Sequence, residues 1–205
     1  MTSQQESHVA ALVLAAGAGS RIGSPKALLH HQGKSYLSLI LENLERAGVR
    51  EIIVVVSPAI HDAARSIAAG RKLVINPDPA TDMMSSLRLG LRAIDNAAGC
   101  LVIPVDHPFV RPETYRKLVD TFLQYPDEIA KPIFKKSGGH PIAMPLQWAR
   151  RFTEPPLTEG LRSAIRQSGI PINAVEVDDP GVLQNVNTVA DLKNTVSTPR
   201  ISRSD

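Results

Sequence analysis

Cysteine is almost absent from this chain of 205 residues, since Cys100 is the only one. A single thiol forms no internal disulfide, and its place between Gly99 and an apolar run predicts a buried strand residue rather than a redox centre. No apolar run approaches the roughly 18 to 20 residues that span a bilayer. The first residues also lack the basic start and apolar stretch of a secretory signal. We therefore expect a cytoplasmic protein that has no membrane partner.

An excess of charge of one sign is lacking as well. The 23 Lys and Arg residues against 20 Asp and Glu residues leave a net charge of +3, and the basic residues are scattered along the chain. Nucleic-acid-binding proteins usually cluster their basic residues on one face or helix, so we expect no nucleic-acid partner. The composition, 43% apolar and 21% charged, is typical of a globular protein. The length predicts one domain, which we assign to residues 9–196, with flexible ends at residues 1–8 and 197–205.

Short β-branched apolar runs alternate with longer segments in which apolar residues recur at helical spacing. That alternation is typical of βα units, which build a mainly parallel sheet. Residues 52–56 are apolar without alternation, which indicates a strand covered by helices on both faces. The predicted strands are 9–15, 51–56, 72–76, 100–105 and 171–177, and the predicted crossover helices are 35–47, 58–69, 85–96 and 111–124.

The rhythm changes after Gln124. Two apolar runs, 129–134 and 141–144, flank a glycine-containing turn and predict a small antiparallel excursion. A helix over 158–167 and a last helix over 189–196, with Asn187 or Thr188 as its N-cap, complete the chain. The prediction is an α/β fold of three αβα layers around a mostly parallel, Rossmann-like sheet.

The segment after the first strand carries the strongest signal for chemistry. Gly17, Gly19 and Gly23 follow the strand directly, and such glycines let the backbone turn tightly and present N–H groups to a phosphate. Their spacing is not the dinucleotide fingerprint, and no lysine stands where a Walker loop has one. Arg21 and Lys26 bracket the glycines with two cations, which suits a triphosphate better than a purely structural turn.

Asp106 follows the predicted strand 100–105, and ligands of open α/β sheets bind in the crevice beyond the carboxyl ends of the strands. Magnesium is satisfied by one or two protein oxygens plus phosphate and water, so Asp106 is a candidate ligand, with capping of the next helix as the alternative. For His107, the sequence position favours a loop residue or one that supports Asp106. We expect Asp178 and Asp179, which precede Pro180, to form a solvated turn.

The chain resembles the MobA-like nucleotidyltransferases that attach a nucleotide to the molybdenum cofactor, in particular the cytidylyltransferase type. The resemblance begins with the LAAGxGxRxGxPKxLL pattern over residues 14–29 and runs in order to about residue 195. It continues through Asn76, the Met84-Ser85-Ser86-Leu87 segment, Val105-Asp106-His107-Pro108, Gly139-His140-Pro141 and Asn185-Val186-Asn187-Thr188.

The resemblance implies roles for particular residues. It implies Lys26, Arg21 and Asp106 as catalytic residues and Asp106 with Asn187 as ligands of a Mg²⁺ cofactor. It implies nucleotide contacts from Leu14, Ala15, Ala16, Gly17, Ala18, Gly19, Arg21, Lys26, Asn76, Ser85 and Asp106. It implies acceptor contacts from His107, Gly139 and His140, although Gly138-Gly139-His140-Pro141 is equally well only a hairpin turn. Asn187 stands where the family usually has an aspartate, and it is also a candidate helix cap.

The implied activity is Mg²⁺-dependent transfer of a nucleoside monophosphate from an NTP to a small phosphorylated acceptor, releasing pyrophosphate. The LAAG segment implies CTP as donor, since LAGG accompanies GTP in the family, and molybdopterin is the implied acceptor. Departures at Asp82, Met83, Thr158 and Glu159 leave the acceptor open. A sugar- or alditol-phosphate nucleotidyltransferase and a non-catalytic nucleotide sensor remain alternatives, and contact with a molybdoenzyme or its chaperone is a further expectation.

Overall fold

The structure is a computed structural model that describes residues 8–17, 19, 22–78, 83–154, 160–188 and 190–191. The ends predicted to be flexible, apart from His8, lie outside this part of the chain, as does most of the helix predicted over 189–196. Among the described residues, no helix combines the length and the apolar character needed to cross a membrane.

One mixed sheet organises the fold. The strands of the described chain are β1 (Val9–Leu14), β2 (His30–His31), β3 (Lys34–Ser35), β4 (Ile52–Val56), β5 (Lys72–Ile75), β6 (Gly99–Pro104), β7 (Ile129–Phe134), β8 (Ser137–Gly138), β9 (Ile142–Pro145) and β10 (Ile172–Glu176). Eight of them form this sheet, in the order β10-β7-β9-β6-β1-β4-β5, with β8 paired to β7. Strands β6, β1, β4 and β5 are parallel, and β10 is parallel to β7. Strand β9 runs antiparallel to both β6 and β7, which confirms the antiparallel excursion.

Helices cover both faces of this sheet. They are α1 (Tyr36–Arg46), α2 (His61–Ile67), α3 (Met83–Arg92), α4 (Pro112–Gln124), α5 (Leu146–Arg151) and α6 (Leu161–Ser168), with short 3₁₀ helices at Lys26–Leu28, Pro58–Ile60 and Pro180–Val182. Side chains of α1, α2 and α4 share one buried cluster, and side chains of α3, α5 and α6 share the other. The three-layer, mostly parallel fold class is confirmed.

Strand β1 shows why the central strands are apolar without alternation. Ala11 and Val13 point into the cluster that contains Leu37 of α1, whereas Leu12 points into the cluster that contains Leu87 of α3. Because both faces of β1 are buried, each of its positions gains from an apolar side chain, by roughly 1.5 to 3 kcal/mol for a fully buried Val or Leu.

The connections that follow β1 and β5 lead to strands on opposite sides of β1. After β1 it crosses through α1 to β4, and after β5 it crosses through α3 to β6, on the opposite side of β1. Neighbouring strands whose connections diverge in this way leave a crevice at their carboxyl ends. Leu14 pairs with Pro104 at the top of β1 and β6, so the segments that follow these two strands meet in the crevice.

Three details extend or test the sequence prediction. Cys100 lies in β6 and is fully buried, which raises the pKa of its thiol to about 12 and confirms a structural strand residue. Helix α3 begins at Met83 rather than Ser85. The ribbon of β2 and β3 and the six-residue helix α5 were not predicted, because elements this short carry little periodicity.

Candidate active site

The glycine loop after β1 turns back on itself at Gly19. Gly19 has φ of 62°, and a Cβ there would lie 2.0 Å from the carbonyl oxygen of Ser24, so only glycine fits. Its own carbonyl accepts hydrogen bonds from the N–H groups of Ile22 and Gly23. A Cβ at Gly17 would meet no atom of the described residues within 4 Å. The predicted contacts Ala18 and Arg21 lie outside the described residues.

The end of the loop delivers Lys26 to the carboxyl end of β6. Lys26 begins a short 3₁₀ helix directly after Pro25, and its side chain is only 18% exposed. The Lys26 Nζ donates a hydrogen bond to Asp106 Oδ2 at 2.8 Å. It donates a second one to the Asn187 Oδ1. Three residues that the sequence predicts for the site are thus joined at one ammonium group.

Asp106 is held on its other oxygen by its neighbour in the chain. His107 Nδ1 lies 3.0 Å from Asp106 Oδ1, and since a carboxylate only accepts, the imidazole nitrogen is the donor. Burial alone would raise the pKa of Asp106, but the hydrogen bonds and charges of His107 and Lys26 outweigh it and lower this pKa to about 2. Asp106 is therefore a carboxylate over the whole physiological pH range.

The segment that carries Asn187 is tied to the site through its backbone. The N–H of Val186 donates to the Asp106 carbonyl at 2.9 Å. Asp191 Oδ2 accepts from the N–H groups of Asn187 and Thr188, and Thr188 Oγ1 accepts in turn from the Asp191 N–H. This reciprocal pattern is a capping box in which Thr188 is the N-cap, and its hydrogen bonds lower the pKa of Asp191. The side chain of Asn187 is consequently not the cap and reaches Lys26.

The other residues predicted for the acceptor, Gly139 and His140, lie beside His107. The rings of His107 and His140 are 5.0 Å apart, and the His140 N–H donates to the Val182 carbonyl. A Cβ at Gly139 would stand 2.2 Å from that carbonyl oxygen, so the close approach of the two segments requires glycine. Burial and the charges of His107 and Lys131, only partly opposed by Asp106, lower the pKa of His140 to about 4.

Two of the predicted nucleotide contacts lie apart from this cluster. Asn76 follows β5, two strands away from β1, and it is 1% exposed. Its Nδ2 donates to Ser86 Oγ, and its Oδ1 accepts from the Asp78 N–H, so the side chain ties the end of β5 to α3. Ser85 is partly buried in the first turn of α3.

The solvated turn predicted for Asp178 and Asp179 is wrong for Asp179, which is 2% exposed. Its carboxylate accepts hydrogen bonds from the N–H of Arg111, the hydroxyl of Thr114 and the N–H of Gly181. These bonds fix the start of α4 to the 3₁₀ turn that leads into residues 183–187. The Asp-Pro-Gly sequence signals the local turn. The partners Arg111 and Thr114 lie 68 and 65 residues earlier, where no local pattern can indicate them.

The oxygen donors suit a hard divalent cation. Within the described part of the chain, no cluster of three or more His, Cys, Asp or Glu side chains could hold a metal ion. Asp106 Oδ2 and Asn187 Oδ1 nevertheless converge, because both accept from the same ammonium. One carboxylate and one amide oxygen form a small all-oxygen set, which fits an ion that keeps water and substrate phosphates as its remaining ligands.

Comparison with known proteins identifies the class. Residues 11–172 match the model of the MobA-like NTP transferase domain, so the chain belongs to this family of nucleotidyltransferases. A 2-C-methyl-D-erythritol 4-phosphate cytidylyltransferase of Frankia casuarinae is 33% identical over 141 residues, which are 67% of this chain and 47% of the relative. A probable molybdenum cofactor guanylyltransferase of Rhodopirellula baltica is 28% identical over 195 residues, 88% of either chain. The chain thus spans about half of the first relative and most of the second.

Other similar proteins widen the range of activities found among the relatives. A nicotine blue oxidoreductase of Paenarthrobacter nicotinovorans is 26% identical over 191 residues, 88% of this chain and 93% of the relative. The crystal structure of Rv0371c from Mycobacterium tuberculosis superposes with a TM-score of 0.79 at 25% identity, covering 94% of this chain and 98% of that one. A manganese complex of the same protein gives a TM-score of 0.78 at 23% identity, covering 94% and 100%.

Proposed function

We propose that this protein transfers a nucleoside monophosphate from an NTP, with CTP favoured, to a small phosphorylated acceptor and releases pyrophosphate. The observation that carries the proposal is the contact of the Lys26 ammonium with Asp106 and Asn187, directly beyond a glycine loop. A triphosphate laid along the loop amides would bring its charge to this cation, and the site lies in the crevice where ligands of such sheets bind.

A phosphoryl transfer of this kind needs little covalent chemistry from the protein. The acceptor phosphate is already a nucleophile and pyrophosphate is already a leaving group, so catalysis consists of alignment and neutralisation of charge. Lys26 supplies a cation to the phosphates, and the space that a Cβ of Gly17 would enter is open among the described residues, so a phosphate can approach the backbone closely there. Arg21, placed in the same loop by the sequence, would add a second cation.

Mg²⁺ held by Asp106 and Asn187 would neutralise charge on the phosphates. The chain's own contacts prepare these two ligands. His107 holds Asp106 Oδ1, the oxygen that does not contact Lys26. The hydrogen bond from the Val186 N–H to the Asp106 carbonyl fixes the backbone next to Asn187. The pKa of Asp106, lowered to about 2, keeps that side chain a full negative charge at the pH of the cell.

The choice of CTP rests on the start of the loop. Ala16, which is 4% exposed, belongs to the LAAG segment that accompanies CTP in the family, where LAGG accompanies GTP. The cytidylyltransferase of Frankia casuarinae is also more similar over its matched region than the guanylyltransferase of Rhodopirellula baltica. We expect CTP to bind at least about tenfold more tightly than GTP, a difference of about 1.4 kcal/mol.

For the acceptor we favour molybdopterin, because the relative named for the molybdenum cofactor matches over nearly its whole length. The residues that would contact it are His107, Gly139 and His140, which lie together beside Asp106. A phosphorylated polyol is the second candidate, favoured by the identity to the 2-C-methyl-D-erythritol 4-phosphate cytidylyltransferase.

A matrix of donors and acceptors tests the proposal. Pyrophosphate release would be measured for CTP, GTP, ATP and UTP, each with molybdopterin, 2-C-methyl-D-erythritol 4-phosphate, sugar phosphates or buffer. The expected result is release with CTP and molybdopterin only, and none in buffer. Release that needs the erythritol phosphate instead would establish the second candidate. Binding of an NTP without release in any combination would contradict transferase activity and leave a nucleotide sensor.

A further inference from the structure

One ammonium group stands where the two oxygen ligands of the proposed metal site converge. Lys26 Nζ is 2.8 Å from Asp106 Oδ2 and also donates to Asn187 Oδ1. The side chains of Lys26 and Asp106 are only 18% and 20% exposed, so water screens their charges weakly. The structure therefore places a cation of the protein itself at these oxygens.

An ammonium and a divalent ion cannot use both oxygens at once. A metal ion bound by Asp106 and Asn187 would occupy the space of the Lys26 ammonium. Two cations so close together repel strongly where side chains are mostly buried, because water screens their charges weakly. Contacts besides those with Lys26 hold these two residues. His107 holds the other oxygen of Asp106, and Asp191 accepts from the backbone of Asn187.

We propose that Lys26 acts as a resident cation that keeps divalent ions out of the Asp106–Asn187 site until triphosphate draws the ammonium away. The proposal rests on the proposed function, because it assigns the phosphates of the donor as the new partners of Lys26. Metal and nucleotide then bind with positive coupling through one side chain, since each favours the position of Lys26 that admits the other.

Binding of Mn²⁺ to the nucleotide-free protein tests this competition without any turnover. The fraction bound would be followed by electron paramagnetic resonance for the wild type, Lys26→Met and Lys34→Met. Lys34 is the matched control, because it pairs with Glu42 on the exposed surface and its loss changes the net charge equally. Circular dichroism would show that each variant is folded, and Lys26→Gln replaces Lys26→Met if the latter is not.

We expect Lys26→Met to bind Mn²⁺ at least tenfold more tightly than the wild type, and Lys34→Met to bind it as the wild type does. Adding Asp106→Asn to Lys26→Met should remove the gain, which assigns it to this site. A folded Lys26 variant that binds Mn²⁺ no more tightly than the wild type would overturn the proposal. The titration contains neither donor nor acceptor, so this failure is distinct from a failure of the transfer reaction.

Discussion

Asp106 and Asn187 differ in charge but share one partner. Both accept from Lys26, and only Asp106 carries a negative charge. A hard cation at this pair would therefore depend on Asp106 for charge and on Asn187 for position. Because Thr188 is the helix cap, the side chain of Asn187 can be changed without loss of the capping bond.

Substitutions at these two positions should have different effects. Asp106→Asn should lower turnover by at least about 100-fold, because charge neutralisation at the phosphates is lost. Asn187→Asp should retain activity and lower the Mg²⁺ concentration at half-maximal rate, whereas Asn187→Ala should raise it. Initial rates against Mg²⁺ measure this, with Asn173→Ala, an asparagine of the edge strand β10, as control. A Mg²⁺ dependence of Asn187→Ala identical to that of the wild type would remove Asn187 from the metal site.

His140 couples the stability of the fold to pH. Its Nδ1 is buried and has no hydrogen-bond partner among the described residues. Burial is the main reason that its pKa falls from 6.5 to about 4. Between pH 4 and pH 6.5, the unfolded chain binds more protons at this position than the folded one. The contribution of the buried, neutral His140 to the stability of the fold is therefore complete above pH 6.5 and is lost as the pH falls towards 4.

Urea denaturation should reveal this dependence. We expect His140 to account for a loss of about 2 kcal/mol in the free energy of unfolding between about pH 7 and pH 5. In His140→Gln that part of the loss should disappear, while His61→Gln, at a partly exposed histidine that contacts Asp62, should leave it unchanged. Equal pH dependence in His140→Gln and the wild type would show that His140 is not the group responsible.

At the scale of elements, the turn at Pro180–Val182 links the last strand to the active site. Asp179 fixes this turn to the start of α4, and the turn leads into the segment that carries Val186 and Asn187. Gly181 completes the contact, because a Cβ there would lie 2.3 Å from the Phe109 carbonyl oxygen. The position of Asn187 thus depends on contacts made several residues earlier in the chain.

Asp179→Asn should therefore destabilise the protein by about 2 to 4 kcal/mol. Both carboxylate oxygens of Asp179 accept hydrogen bonds from a total of three donors, whereas the amide of asparagine has only one accepting oxygen. Its exposed neighbour gives a matched control: Asp178→Asn should change the free energy of unfolding by no more than about 0.5 kcal/mol. Chemical denaturation of the two variants makes the comparison. If both lose the same small amount, the buried carboxylate contributes nothing specific.

Elements with a strong local pattern were predictable from sequence, and those fixed by distant contacts were not. The central strands were found because burial on both faces leaves an uninterrupted apolar run, as in β1 and β4. The sequence places Lys26 after a glycine loop and Asp106 after a central strand, and the structure brings these two side chains into contact. The burial of Asp179 depends on Arg111 and Thr114, and the contact between Lys26 and Asn187 spans 161 positions. No local sequence pattern indicates contacts between residues so far apart in the chain.

At the scale of the whole molecule, the crossover pattern brings the parts of the site together. The glycine loop follows β1, Asp106 follows β6, and the segment with Asn187 follows β10 at the edge of the sheet. A donor bound over the loop and an acceptor bound beside His140 would meet at Lys26 and Asp106. This arrangement suits attack on the α-phosphate of the donor. Lys26 and a metal ion held by Asp106 would then lie beside the bond between this phosphate and the departing pyrophosphate.

The fate of labelled phosphorus tests that reaction most directly. CTP labelled at the α-phosphate and CTP labelled at the γ-phosphate would be incubated separately with protein, Mg²⁺ and the acceptor found in the pyrophosphate screen. Label from the α position should appear in the acceptor product and label from the γ position in pyrophosphate, and Lys26→Ala should lower both by at least about 100-fold. Label from the γ position in the acceptor, or from the α position only in free CMP, would contradict nucleotidyl transfer.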